Sequence, residues 1–187
     1  CLRMLVLQEE LEREREELRN FAAELSISNR RLQEAALIDP LTSLPNRQFF
    51  ASMVTQSLRG AGDLNTVVIL LNLVDFKGQN TRLGHDGGDR LLVAVADRLQ
   101  QLAPGELVVA RLAADEFGLL GRLDDQQTTE MVARICTHGA TPVVVDGHPV
   151  QLYARLGLAD SEHVPGSAEQ LLQCAEVALT VGREADR

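Results

Sequence analysis

Aromatic residues are scarce in this chain of 187 residues. Tryptophan is absent and aromatic residues make up only 3%, whereas hydrophobic residues reach 45%. The sequence therefore predicts a core of ordinary size, built mainly from Leu, Val and Ala. The length fits one domain with an appendage.

Cysteines and long apolar runs are also few. The three cysteines, Cys1, Cys136 and Cys174, lack metal-ligand spacing, so reduced cytosolic thiols are the simplest interpretation. No apolar run approaches the roughly 20 residues of a membrane-spanning helix, and there is no signal peptide. Because the chain begins with Cys rather than Met, we expect a piece of a larger cytoplasmic protein, which leaves room for a membrane anchor upstream.

Positive charge is the third deficit. The chain has 18 Lys and Arg against 27 Asp and Glu, a net charge of −9, and Lys77 is its only lysine. Acidic chains of this kind bind poorly to nucleic acids and to anionic lipid. We therefore expect no nucleic-acid partner.

Residues 1–36 contain a seven-residue repeat that the rest of the chain lacks. No Gly or Pro interrupts them. Apolar residues recur at Met4, Leu11, Leu18, Leu25 and Leu32. This stripe predicts a coiled-coil stalk that forms a parallel homodimer. The alternative is one amphipathic helix folded back on its own domain.

Residues 37–187 alternate between helical and strand patterns. Helices are predicted at Arg47–Leu58, Gln79–Leu83, Asp89–Leu102, Asp124–His138 and Ala168–Val181, with a polar bend over Gly84–Asp89. Strands are predicted at Thr66–Val74, Glu106–Ala110, Phe117–Leu120, Pro142–Val145 and Val150–Ala159. This order predicts an α/β (α+β) domain with a mixed central sheet of about five strands flanked by helices.

The turn between the second and third predicted strands reads Arg111-Leu-Ala-Ala-Asp-Glu-Phe117. Turns are where a scaffold presents functional groups to a ligand. Small residues let a backbone approach a phosphate, and two adjacent carboxylates suit a hard cation such as Mg²⁺. Taken alone, these seven residues favour an ordinary acidic hairpin turn.

Several stretches share the spacing of known motifs. Asp39–Arg47 is similar to D-x-L-T-x-L-x-N-R. Asn72–Lys77, followed by Asn80 and Leu83–Asp89, is similar to D-x-D-x-F-K-x-x-N-D-x-x-G-H-x-x-G-D. Arg111–Phe117 stands where R-x-G-G-D-E-F belongs. Together they resemble the GGDEF (diguanylate cyclase) family over roughly residues 37–187.

This resemblance implies a fold like the palm of nucleotidyl cyclases. It also implies a reaction between two facing domains, each holding one GTP and Mg²⁺. The 3′-hydroxyl of each GTP attacks the α-phosphate of the other, giving cyclic di-GMP by metal-assisted phosphoryl transfer. In such bacterial signalling proteins the domain follows an upstream sensor and often precedes a phosphodiesterase domain of the EAL type.

The resemblance also implies roles for individual residues. Asn80 and Asp89 match a guanine-reading pair, for which the alternatives are a turn residue and a helix cap. The residues expected near the nucleotide phosphates are Lys77, Arg111, Ala113, Ala114, Arg183 and Arg187, the last two by a looser match. Asp115 matches an acidic metal ligand and Glu116 the acid after it, and both are expected as vestigial catalytic residues.

Three departures from the family pattern weaken the expected chemistry. Asn72 replaces a metal-binding aspartate, which leaves a weak or lost Mg²⁺ site. Ala113 and Ala114 replace two glycines, and alanine resists positive φ and crowds a phosphate. The inhibitory product site R-x-x-D is absent, because its place reads Pro104-Gly-Glu-Leu107.

These departures favour a catalytically inactive or strongly impaired regulatory module in cyclic di-GMP signalling. Such a module binds GTP, dimerises and controls a neighbouring domain, with Mg²⁺ as a weakly held cofactor. Two alternatives remain open at this stage. One is an active diguanylate cyclase, and the other is a purely structural dimerisation module.

Overall fold

The computed structural model describes residues 37–60, 64–102, 107–139 and 141–185, together with a few isolated residues. The chain divides into two compact units, Cys1–Leu37 and Ile38–Arg187. In the first unit the described residues, from Arg13 to Phe21 with gaps, are helical. Leu18 is the described member of the predicted heptad stripe, and the other four lie outside the described residues. No described helix is both long and apolar enough to span a membrane.

The second unit alternates helices and strands. Its described elements are α1 (Arg47–Leu58), β1 (Asn65–Leu73), α2 (Phe76–Leu102), β2 (Leu107–Arg111), β3 (Glu116–Leu123), α3 (Asp125–Gly139), β4 (Val143–Val145), β5 (His148–Val150), β6 (Ala154–Asp160) and α4 (Ala168–Ala185). The predicted α/β class is confirmed.

The main sheet has four strands in the order β2-β3-β1-β6, and every neighbouring pair is antiparallel. The expectation of about five strands in a mixed sheet is therefore wrong in detail. Strands β1 and β2 do run in the same direction, because α2 carries the chain back between them. Strand β3 then inserts between the two, so no parallel pair forms.

The fifth predicted strand is divided between two sheets. Val143–Val145 and His148–Val150 form a separate two-stranded sheet, closed by Asp146 and Gly147 at φ values of 52° and 78°. Two consecutive positive φ values are what a two-residue Asp-Gly hairpin turn requires. The chain then leaves the strand conformation and re-enters it at Ala154 to pair with β1.

Side chains of β1 alternate between two buried layers. Val67, Ile69 and Leu71 pack among apolar residues of α2 and α3, whereas Val68 and Leu70 pack among those of α1 and α4. The sheet thus has helices on both faces, which explains why β1 is apolar almost throughout.

Helix α1 begins as the sequence predicts. The Asn46 side chain accepts a hydrogen bond from the Phe49 amide at 3.1 Å, which caps the first turn. Phe50 and Val54 on one side of the helix are buried against the sheet. Arg47 is the first helical residue, so this cap sets the direction in which the Arg47 side chain projects from the helix.

Helix α2 bends at a single residue. Gly84 has φ 75° and ψ 169° and interrupts the helix, and glycine adopts this conformation with little penalty. The predicted bend over Gly84–Asp89 is therefore too long, since residues 85–89 are already helical. Asp89 lies inside the second helical segment and does not cap it.

Candidate functional site

The end of β1 carries a row of three polar residues. Asn72 lies directly opposite Glu116 of β3 and directly opposite Arg155 of β6. Opposed residues of antiparallel strands project from one face, with Cβ atoms about 4.5–5.5 Å apart. Glu116, Asn72 and Arg155 therefore occupy one row on the face of the sheet that α1 and α4 cover. Sequence reasoning missed Arg155, because only the register of β6 against β1 reveals it.

Glu116, expected as a vestigial catalytic residue, is held by Arg47. The Arg47 guanidinium lies 3.3 Å from Glu116 Oε2 and 3.0 Å from Glu176 Oε1 of α4. All three side chains are at least 35% exposed, so solvent screens the pairs and their contribution to stability is small. The pairs place the Arg47 guanidinium against the carboxylate of Glu116.

A second ion pair lies under the hairpin tip and is largely buried. Arg111 donates to both carboxylate oxygens of Asp39 at 3.1 and 3.0 Å, and to the Ala114 carbonyl at 3.0 Å. The Arg111 and Asp39 side chains are 12% and 18% exposed. Arg111 was expected near the nucleotide, but these donors tie the hairpin tip to the segment before α1.

The carboxyl group of Asp39 is stabilised in its charged form. Burial raises its pKa, but hydrogen bonds from the Thr42 hydroxyl and amide and from Arg111 outweigh burial and lower the pKa below 3.8. Because the pKa of Asp39 is lower in the folded state than in the unfolded state, its carboxylate stabilises the fold at pH values above the unfolded-state pKa. That contribution is lost as pH falls through the folded-state pKa.

The hairpin closes without strain at its two alanines. Ala113 and Ala114 are exposed, and the described non-glycine residues with positive φ are Ser43, Asp75 and Asp146. Ala113 and Ala114 thus adopt no positive φ, which agrees with the expected resistance of alanine to that conformation. The added Cβ atoms remain an obstacle to close phosphate approach.

Two clefts flank the hairpin tip. One, of about 430 Å³, is lined by Asp39, Asn46, Arg47, Gln48, Arg111, Leu112, Ala113 and Ala114. The other, of about 220 Å³, is lined by Arg47, Leu70, Leu112, Glu116, Phe117, Glu176, Leu179 and Thr180. A larger groove of about 660 Å³ contains none of the predicted site residues. The smaller clefts are thus the ones relevant to the motif, and Arg47 lines both.

The metal position expected at Asp115 and Asn72 fits Mg²⁺ poorly. Among the described residues, no three His, Cys, Asp or Glu side chains are grouped to hold a metal ion. Asn72 offers a neutral oxygen, and the Glu116 carboxylate is paired with Arg47. Asp75 does not replace the missing carboxylate, because it caps α2 through the Gly78 amide at 3.3 Å. Mg²⁺ sites in proteins use one or two carboxylates together with substrate phosphates, and of the expected pair only Asp115 still offers a carboxylate, so the expected site is weakened.

The predicted guanine-reading residues, Asn80 and Asp89, lie on α2, on either side of the Gly84 bend. The bend brings Asn80 against Gly88, where an added Cβ would collide with Asn80 Oδ1. That oxygen is buried and has no hydrogen-bond partner among the described residues. Asp89, the next residue after Gly88, is exposed. The structure thus places Asn80 beside the turn of helix that carries Asp89.

The remaining predicted residues are more widely distributed. Lys77 is exposed on the first turn of α2, and Arg183 lies in the last turns of α4. Arg187 lies outside the described residues. The described contacts do not join the α2 group to the hairpin.

Residues 36–187 match the family described as diguanylate cyclase, GGDEF domain. The chain belongs to the GGDEF family. The diguanylate cyclase TpbB of Pseudomonas aeruginosa is 34% identical over 178 residues, which are 92% of this chain and 41% of that protein. The cyclic di-GMP phosphodiesterase NbdA of the same organism is 34% identical over 154 residues, 79% of this chain and 19% of that protein.

Solved GGDEF domains have the same fold. The GGDEF domain of TpbB superposes with a TM-score of 0.74 at 30% identity, covering 79% of this chain and 89% of that one. The coiled coil and GGDEF domain of DgcB from Caulobacter crescentus gives 0.73 at 21% identity and covers 91% and 94% of the two chains. This GGDEF chain spans only 19–41% of the length of these curated relatives.

Proposed function

We propose that this GGDEF domain is a regulatory module of cyclic di-GMP signalling that binds GTP and does not cyclise it. The observation that carries the proposal is the row at the end of β1. Asn72 lies between Glu116 and Arg155, and Glu116 is already paired with Arg47 at 3.3 Å. Two-metal or metal-assisted phosphoryl transfer needs carboxylates that can hold the ion.

The nucleotide role rests on the other half of the site. Asn80 and Asp89 have the amide and carboxylate that a guanine edge requires, the carboxylate accepting from N1–H and N2–H. The candidate phosphate contacts are Lys77, Arg183 and Arg187, together with Ala113 and Ala114 of the tip. Arg111 acts through the hairpin, since its donors hold Asp39 and the Ala114 carbonyl.

The same proposal includes the organisation of the chain. Residues 1–36 form a coiled-coil stalk that makes a homodimer, and residues 37–187 form the GGDEF domain, in the cytoplasmic part of a larger protein. An upstream sensor and a downstream EAL-type phosphodiesterase are the proposed neighbours. In support, two relatives that this chain covers by about a fifth are named as a cyclic di-GMP phosphodiesterase and as a bifunctional cyclase and phosphodiesterase.

An active diguanylate cyclase is the second candidate. Similarity to TpbB, itself named a diguanylate cyclase, favours it, and so does the undistorted hairpin tip. The row at the end of β1 argues against it. A purely structural dimerisation module is a third candidate, against which the retained Asn80 and Asp89 argue.

Calorimetry separates a nucleotide-binding module from a purely structural one. The chain of residues 1–187, shown to be dimeric by light scattering, is titrated with GTP and with ATP. We expect GTP to bind and ATP to bind at least about tenfold more weakly, because the Asp89 hydrogen bonds are specific to guanine. Equal affinities would remove the guanine claim. No binding of either nucleotide would leave the structural module.

A further inference from the structure

We propose that the groove of about 660 Å³, at the end of the sheet away from the hairpin tip, docks an acidic, extended segment of a partner polypeptide. A carboxylate of that segment pairs with Arg122, and an apolar side chain of the segment covers Val108. The inference goes beyond the proposed function, because the groove contains none of the predicted nucleotide or metal residues.

The groove lies where α1 ceases to cover the sheet. Val108 of β2 is directly opposite Leu120 of β3, and Leu120 packs among the residues of α1 and α4. Leu120 is 5% exposed, whereas Val108 is 38% exposed, so the cover ends between β3 and β2. Met53 of α1 lines the groove beside them. The described polar residues of the lining are Gln56, Ser57, Arg122 and Gln127, and the others are apolar or glycine.

Strand β2 is an edge strand of the four-stranded sheet. Near the hairpin tip its outer side is occupied, because the Arg111 amide donates to the Pro45 carbonyl at 2.9 Å. From Leu107 to Val109, the described hydrogen bonds include none between the outer side of β2 and another segment. An open edge that carries an exposed valine is a template for an extended chain. This favours a polypeptide over a small molecule as the occupant.

Arg122 is the one charged side chain among the described residues that line the groove. Its Nη2 donates to the Leu64 carbonyl at 3.0 Å, and an added Cβ at Gly60 would collide with the guanidinium. The guanidinium is therefore held between the end of α1 and the residue before β1. The described ion pairs do not include Arg122, and its Nε is buried without a hydrogen-bond partner among the described residues. A carboxylate of the occupant would satisfy this charge.

The lining favours a peptide carboxylate over the two phosphates of a cyclic dinucleotide. Gly105 lines the groove and belongs to the stretch Pro104-Gly-Glu-Leu107, in which the inhibitory-site pattern R-x-x-D is absent. Arg122 is thus left as a single fixed cation in a mainly apolar groove. One guanidinium matches one carboxylate in a bidentate pair, and the apolar lining matches the side chains on either side of that carboxylate.

The first experiment selects short peptides from a random phage-displayed library on wild type, Arg122→Gln and Arg82→Gln. Arg82 is an exposed arginine of α2 that does not line the groove, and it serves as the matched control. Wild type and Arg82→Gln should enrich peptides that combine Asp or Glu with apolar residues. Arg122→Gln should lose the preference for acidic residues. Thermal unfolding of every variant confirms that it is folded.

The second experiment measures the affinity of one enriched peptide by fluorescence anisotropy. Val108→Glu should bind it at least about tenfold more weakly, because an apolar contact is replaced by a like charge. Val144→Glu, at an exposed valine of β4, is the matched control and should bind like wild type. Replacing the peptide's acidic residue by its amide should weaken binding to wild type about tenfold but leave binding to Arg122→Gln unchanged.

Three results would overturn the inference. The first is that wild type enriches no acidic peptides, and the second is that Val108→Glu binds the enriched peptide as tightly as wild type. The third is that Arg122→Gln loses affinity for cyclic di-GMP and not for the peptide, which would make the groove a dinucleotide site. Arg122→Gln and Val108→Glu should bind GTP like wild type, so failure of the docking surface leaves the proposed function standing. If Arg122→Gln does not fold, the Val108 and Val144 variants still decide the question.

Discussion

The two halves of the candidate site differ in how closely their residues match the family pattern. On α2, Asn80, Gly88 and Asp89 retain the side chains of the family pattern, and the Gly84 bend brings them together. At the end of β1 and on the hairpin, Asn72 stands where the family pattern has an aspartate, and Ala113 and Ala114 stand where it has two glycines. The hairpin nevertheless folds, with Leu112 N–H donating to the Glu116 carbonyl at 2.8 Å.

The described contacts that shape the hairpin come from the protein chain itself. The tip is fixed by Arg111 on Asp39 and by the Leu73 amide on the Asp115 carbonyl at 3.0 Å. Neither contact involves a metal ion or a nucleotide. The α2 half, by contrast, has a buried acceptor, Asn80 Oδ1, without a hydrogen-bond partner among the described residues, and a buried polar atom of this kind is one that a ligand can satisfy.

The largest expected effect on stability comes from a substitution in the hairpin half of the candidate site. Asp39→Asn should lower the free energy of unfolding by about 2–4 kcal/mol near neutral pH, because it leaves the largely buried Arg111 without its counterion. Urea unfolding followed by circular dichroism measures it. Since the pKa of Asp39 lies below 3.8, the difference from wild type should shrink as pH falls below that value. An equally large effect of the exposed Asp97→Asn, or a pH-independent difference, would contradict this account.

The second-largest expected effect is on nucleotide binding, and it comes from a substitution in the α2 half of the candidate site. Asp89→Ala should reduce GTP affinity by about tenfold or more and abolish the preference over ATP, because a charged acceptor is lost. Calorimetry measures the affinity of the variant for GTP and for ATP. Asp97→Ala, an exposed aspartate on the same helix, is the control and should behave like wild type. A preserved preference in Asp89→Ala would mean that the base is read elsewhere.

A third change sharpens the role of Asn80 without altering that residue. Gly88→Ala places a Cβ against Asn80 Oδ1 and must displace the side chain. GTP affinity should fall by about three- to tenfold while the fold persists, since a side-chain amide can move. Gly139→Ala, where a Cβ meets nothing within 4 Å, is the control. Unchanged GTP binding in Gly88→Ala would remove Asn80 from the site.

The smallest effect compares the two ion pairs of the hairpin half. Glu116→Gln should change the free energy of unfolding by less than about 1 kcal/mol, because Glu116 and Arg47 are 35% and 56% exposed. Thermal unfolding of Glu116→Gln and of Asp39→Asn gives the change in the free energy of unfolding for each variant. A loss as large as that of Asp39→Asn would show that the Arg47 pair holds the hairpin together.

The sequence predicted the parts of the fold that local patterns determine. Asn46 capped its helix as predicted, and Asp146-Gly147 formed its turn, because both signals are carried by adjacent residues. The sheet was predicted less well. Its antiparallel pairing depends on where β3 inserts, and no local pattern encodes that choice.

The same limit applied to the site. Motif residues located Asn80, Asp89 and the hairpin. Arg155 carries no motif, and only its register opposite Asn72 places it in the site. Arg47 was visible in the opening motif, but its contact with Glu116 joins residues 69 positions apart. Contacts of that range are set by tertiary packing.

The most direct test of the central claim is turnover. The dimeric chain is incubated with GTP and Mg²⁺, and separately with Mn²⁺, and cyclic di-GMP is measured by chromatography. We expect no product above a control without protein, because Asn72 leaves Asp115 as the one carboxylate of the expected metal pair and Glu116 is paired with Arg47. Product that disappears in Asp115→Ala would contradict the account and identify the domain as an active diguanylate cyclase.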